Sequence, residues 1–176
     1  SQETSNCHDN YSLPIAWRDN FECYDPFIIS DIGDWIMYDL DGGTTWGANA
    51  VDFENESYVG TGIIYNQALA TPTGGPIPEW DTFQGEQGLY FVASGANSTT
   101  IPNDDWMISP EFSLSGITSP IFSMKAKSVN DTYGLERFQI AVGTSTDYND
   151  FTVISDGAYI CPLYTSDAAD DSIRVD

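Results

Sequence analysis

The stretch Asn103-Asp104-Asp105-Trp106-Met107-Ile108-Ser109-Pro110 decides the class of fold. Two adjacent carboxylates run into a large aromatic and an apolar pair, and Pro110 closes the run. Proline cannot continue a sheet ladder, so the pattern reads as an acidic loop entering a short strand that stops before Pro110.

Working outward, the same grammar recurs. Phe122, Met124 and Ala126 alternate with Ser123, Lys125 and Lys127, and Phe138, Ile140 and Val142 alternate with Gln139 and Ala141. Period-two alternation marks half-buried strands. Gly88-Leu89-Tyr90-Phe91-Val92-Ala93 is more apolar and fits a central strand. No long 3.6-residue period is present, and the spacers are rich in Gly, Pro, Asn, Asp, Ser and Thr. Many short strands with such connections predict an all-β chain of sandwich type. Residues 66–87 read as a long connection over one end of it.

The chain has 176 residues, enough for a domain with a core. It carries 27 acidic and 5 basic residues, a net charge of −22. Nucleic acid and anionic membrane surfaces are therefore excluded as partners, because both need clusters of Lys and Arg. No segment approaches the roughly 18–20 apolar residues of a membrane span. The acidity serves either solubility or divalent cations that neutralise part of it.

Asp39-Leu40-Asp41-Gly42 sets carboxylates at alternate positions with glycine to turn the backbone. Hard oxygens so spaced suit calcium, and an ordinary Asp-Gly turn is the alternative. It is not an EF-hand loop, since Ala50 stands where the bidentate glutamate is required. Asp147-Tyr148-Asn149-Asp150 is a weaker candidate, better read as a solvated turn.

The single histidine, His8, lies in a polar N-terminal stretch beside Cys7. It offers neither a zinc site nor a convincing nucleophile–base pair, so no catalysis is expected. Cys7 and Cys23 can close a loop in an oxidising compartment, leaving Cys161 over; free buried thiols are the alternative. Asn10, Asn55, Asn97 and Asn130 head Asn-x-Ser/Thr sequons, and Asp131-Thr132 resembles a bacterial O-glycosylation site at Thr132, so surface glycosylation is expected.

Several motifs in order resemble the cleaved-adhesin and choice-of-anchor J (MAM-like) domains of bacterial surface proteins. They are Asn20-Phe21-Glu22; Trp35; Asp39-Leu40-Asp41-Gly42-Gly43-Thr44-Thr45-Trp46; the 103–110 stretch with Leu114-Ser115-Gly116 behind it; Lys125-Ala126-Lys127-Ser128; and Glu136-Arg137-Phe138-Gln139-Ile140-Ala141-Val142-Gly143-Thr144. The resemblance covers roughly residues 17–155. It implies a jelly-roll β-sandwich with structural calcium at Glu22, Asp39, Asp41 and Asp105, with Asp104 as second choice beside Asp105. It also implies core positions for Trp35, Trp46 and Trp106. Trp80, in a Pro-Gly connection, is the candidate for an exposed ligand contact.

The expected layout is an extended arm over 1–16, the sandwich over 17–162, and a separate tail over 163–176. Leu163–Asp170 resembles translated adapter DNA, so the tail is set apart as foreign and the strand series is expected to run out after Ile154. The competing reading makes Asp170–Val175 a terminal strand. The function expected is that of an extracellular, non-catalytic adhesin-like structural domain. It would assemble with copies of itself into a filament by strand complementation and be stabilised by calcium. The alternative is a module binding carbohydrate or host protein.

Overall fold

The computed structural model describes residues 16–95, 102–129 and 136–155, and the backbone of 159–160 and 172–175. The described residues contain no α-helix, only 3₁₀ turns at Pro78–Trp80 and Tyr148–Asp150. The strands are β1 (Ile36–Asp39), β2 (Val51–Asp52), β3 (Ile63–Asn66), β4 (Thr71–Pro72), β5 (Gln87–Tyr90) and β6 (Asp105–Ile108). They continue with β7 (Phe122–Lys125), β8 (Arg137–Phe138), β9 (Ala141–Val142), β10 (Thr152–Val153), β11 (Tyr159–Ile160) and β12 (Ser172–Val175). The all-β class holds. The strands form antiparallel pairs: β1 with β6, β2 with β4, β3 with β5, β7 with β12, β8 with β11, and β9 with β10. Contacts gather them into two compact units, residues 16–77 with 84–112, and 78–83 with 113 onward.

In the first unit β3 is buried at every position, Ile63, Ile64, Tyr65 and Asn66. It does not alternate, and it is paired along both edges. β5 pairs on one side, and on the other Phe27 N donates to the Ile64 carbonyl (2.7 Å) while Ile64 N donates to the Ile28 carbonyl (3.1 Å). The central position expected for 88–93 therefore belongs to β3, and the run forms its neighbour β5 only as far as Tyr90. Phe27 and Phe53 stack at 5.9 Å, and both meet the Tyr65 ring edge-on. A second aromatic group joins Trp17, Trp35, Phe21 and Phe112, and Trp35 Nε1 donates to Asp19 at 2.8 Å. β6 ends before Pro110, as its sequence requires.

In the second unit the expected alternation breaks down. Along β7 the side chains become more buried towards Ser128 instead of alternating. The 136–144 stretch divides into β8 and β9, because pairing shifts register at Ile140. There the Ile140 carbonyl accepts both Ile154 N and Ser155 N, and Ile140 N donates to Ser155 Oγ. Val142 consequently turns outward, 51% exposed. The strand series does not stop at Ile154. Ser172–Val175 pairs along the whole of β7, matching the terminal-strand reading of that segment. Lys127 Nζ donates to the carbonyls of Glu79 (2.9 Å) and Asp81, which anchors the 3₁₀ turn to this unit. Burial pushes the Lys127 ammonium down to about 8, against the upward pull of Asp81 and Glu79.

Candidate metal centre

β1 and β6 pair so that Asp39 faces Asp105 across the ladder. Pairing continues past β1, with Leu40 N donating to the Asp104 carbonyl (3.0 Å). The chain then turns on its own carboxylates. Asp39 Oδ1 accepts Gly42 N at 2.6 Å, and Asp41 Oδ1 accepts Gly43 N at 2.7 Å. This is the short-range bonding that makes aspartate a turn residue. Asp41 Oδ2 accepts Asp104 N at 2.9 Å, fastening the turn to the start of β6. Gly42 adopts φ +61°, where glycine carries no steric penalty. Gly43 is needed for space: a Cβ there would lie 2.6 Å from Asp41 Oδ1 and 2.8 Å from Ser94 Cβ.

Carboxylate oxygens of Asp39, Asp41 and Asp105 consequently lie within 4.8 Å of one another. Beyond the turn, Thr44 bridges to Val59 and Thr45 to Ser94. Thr45 N and Oγ1 both donate to the Tyr58 carbonyl, at 2.8 and 2.9 Å. Thr45, Tyr58 and Ser94 thus come from adjacent backbone segments, and Asn103 Oδ1 holds Ser94 N at 2.5 Å.

The charges are uneven. Burial, followed by the neighbouring charges of Asp41, Asp39 and Asp104, pushes the Asp105 carboxyl up to about 7. Burial works the same way on Asp41, but the Asp104 and Gly43 amides and the nearby Ser94 hydroxyl outweigh it and hold that carboxyl below its usual range. Burial also raises the Tyr58 phenol well above its ordinary value. The Asp105 and Asp39 charges add to this, and the Val92 backbone pulls the other way.

Among the described residues, the buried side-chain atoms without a hydrogen-bond partner are Tyr58 Oη, Ser94 Oγ and Asp105 Oδ1. All belong to residues coupled to this cluster. The Ser94 hydroxyl influences Asp41, and the Tyr58 hydroxyl is influenced by Val92, without either reaching hydrogen-bond geometry. Leaving such groups unmade costs about 1–3 kcal/mol each. Three hard anionic oxygens with neutral hydroxyls beside them fit calcium, which takes oxygen ligands only; no soft ligand suited to zinc stands among them.

The other expected residues fall elsewhere. Glu22 is absent from the cluster because backbone amides occupy its carboxylate. Oε1 accepts Glu86 N (3.0 Å) and Gln87 N (2.9 Å), and Oε2 lies 3.3 Å from Glu86 N. Asp104 contributes its main chain and its charge. Asp147 caps the 3₁₀ turn through Asn149 N, as befits a solvated turn. Trp46, expected in the core, is 51% exposed, whereas Trp80 is half-buried. Cys23 is disulfide-bonded. Asn55 Nδ2 donates to the Phe27 carbonyl (2.9 Å). Cys7, Asn10, Asn97, Asn130 and Thr132, with the arm up to residue 15, lie outside the described residues.

Tyr58 and Ser94 had no sequence signal, since neither shares a motif with the acidic loop. Comparison with protein-family models, with curated proteins and with solved structures gives no match. No described helix is long and apolar enough to cross a membrane.

Proposed function

We propose that this chain is a non-catalytic structural domain of an extracellular, adhesin-like kind, built on a jelly-roll plan, stabilised by calcium and self-associating. The observation that carries the association is the apolar surface of the second unit. None of its described apolar residues is buried, while Ile121 is 62% exposed and Leu114, Phe122, Val142, Val153 and Ile154 are also exposed. Apolar side chains on strands with nothing over them favour an interaction surface. Among the described residues the β7–β12 and β9–β10 pairs are two-stranded, which leaves edges where a neighbour's strand can add and extend those apolar faces with its own side chains. With β12 lying along β7, the motive for assembly is the uncovered face rather than a missing terminal strand. An incoming strand and its acceptor are different surfaces, so the contact propagates as a filament.

Calcium at Asp39, Asp41 and Asp105 would neutralise part of the negative charge and fix the β1–β6 end of the first unit. The Cys23 disulfide suits an oxidising, extracellular compartment. The resemblance to MAM-like adhesin domains points the same way.

Electron microscopy and sedimentation of the purified chain at high concentration in calcium test the proposal. Filaments that dissolve on Val142→Lys or Val153→Lys support it, and filaments lost on deleting residues 1–16 identify the arm as donor. A chain that stays monomeric, or filaments indifferent to the lysines, would refute association through this face.

A second reading, a carbohydrate-binding module, draws on Trp46, Val59 and Phe91, which are all about half exposed. Exposed aromatic surface of this kind suits the apolar face of a sugar. Quenching of tryptophan emission by a saccharide, lost in Trp46→Ala, would favour it.

A further inference from the structure

The acidic cluster faces two hydroxyls that the sequence motif does not contain. Thr45, Tyr58 and Ser94 occupy matching positions on adjacent backbone segments. For two of them the next residue in sequence points the opposite way: Trp46 and Val59 are about half exposed, whereas Thr45 and Tyr58 are 2% and 6% exposed. Of the three inward hydroxyls, only that of Thr45 is satisfied, by the Tyr58 carbonyl. The other two are buried and unpartnered, as is Asp105 Oδ1; Ser94 packs against Asp41 at Gly43, and the Tyr58 phenol is near enough to feel the Asp105 and Asp39 charges.

These features separate the site from an ordinary Asp-Gly turn. A turn needs only the bonds that Asp39 and Asp41 make to Gly42 and Gly43. It gives no reason for a phenol and a serine hydroxyl from distant segments to be buried close to this cluster with their hydrogen bonds unmade. A cation does, because oxygen donors unsatisfied by protein are what a hard ion requires.

We propose that Tyr58 and Ser94 are part of the cation site, their hydroxyls acting as neutral oxygen donors that complete and orient the set begun by Asp39, Asp41 and Asp105. The inference rests on the calcium reading above. It assigns the ligand class as a hard divalent or trivalent ion held by mixed carboxylate and hydroxyl oxygens. The site then draws on four separate parts of the first unit: the β1 turn, the segment at Tyr58, the segment at Ser94 and the start of β6.

Calcium titration of the full chain by calorimetry tests this on Tyr58→Phe, Ser94→Ala, the outward-facing control Val59→Ala, and Asp39→Asn/Asp105→Asn. Tyr58→Phe and Ser94→Ala should each weaken calcium affinity about 10- to 100-fold, as loss of supporting groups at metal sites does. Val59→Ala should leave affinity unchanged. In chelator, both hydroxyl variants should melt no lower than the parent. A merely structural hydroxyl would instead lower the melting temperature equally with and without calcium. Terbium bound in place of calcium gives a second readout, with its tyrosine-sensitised emission reduced in Tyr58→Phe. A parent that binds calcium while both variants bind it as tightly overturns the role of Tyr58 and Ser94 and leaves the calcium reading standing. A parent that binds neither calcium nor terbium overturns both.

Discussion

Asp39 and Asp105 occupy directly opposed positions at the acidic end of the β1–β6 ladder. Like charges opposite one another destabilise a strand pair. Here Asp41 joins them, so the ladder ends in three carboxylates within 4.8 Å of one another. The arrangement makes the first unit sensitive to what sits between them.

Calcium should raise the melting temperature and a chelator should lower it. Binding to the folded state alone stabilises by about 2.7 kcal/mol at 100 times the dissociation constant. Asp105→Asn should reverse the pattern: more stable than the parent in chelator, because the raised carboxyl no longer has to ionise among its neighbours, and unresponsive to calcium. Scanning calorimetry with and without chelator checks both arms. Identical curves for the parent in the two conditions would count against a cation.

Glu22 should matter equally whether or not calcium is present. Its carboxylate accepts the amides of Glu86 and Gln87, a tie across most of the first unit. Charge-assisted bonds of this kind contribute about 1.5–3 kcal/mol, so Glu22→Ala should cost about 2 kcal/mol in denaturant unfolding. A loss seen only with calcium would return Glu22 to the metal site.

Gly43→Ala should damage the acidic turn. The added methyl would strike Asp41 Oδ1 and Ser94 Cβ. Forcing a group into so tight a space costs about 1–3 kcal/mol, and the response to calcium should weaken. The exposed Gly74, where a Cβ meets nothing within 4 Å, is the control.

Lys127 should titrate near 8 rather than at its ordinary value of 10.5. The folded chain gives up this proton before the unfolded chain does. Stability therefore rises as pH climbs from about 8 towards 10.5, and below that window the charged form is disfavoured by burial. Carbon shifts of the Lys127 ε-methylene, followed by NMR, give the midpoint. Lys127→Met should remove this contribution to the pH dependence.

The acidic loop and β6 were legible because each is local: carboxylates, glycine and a stopping proline act within a few residues of themselves. What Glu22 binds was not legible, because its partners lie 64 and 65 residues away. The same holds for Tyr58 and Ser94, which only backbone pairing brings to the acidic turn. Trp46 misled because the resemblance to MAM-like domains implies a core position for it, whereas its neighbour Thr45 takes the inward side. At Ile140, alternation predicts one strand, but the register shift that splits β8 from β9 depends on Ser155, in the bend that follows β10.

The ladders of the first unit also set the order in which it can form. Ile36 waits for Ile108, Ile64 for Leu89, and Glu22 for Gln87. Its strand pairings all join residues far apart in the chain, so the entropy of closing long loops comes before the gain from pairing, the condition that slows folding in β proteins. A chain emerging from a ribosome or an export channel would hold β1 without a partner until residue 108 had followed it. During that interval Ile36 and Met37 would offer an open strand to any neighbour.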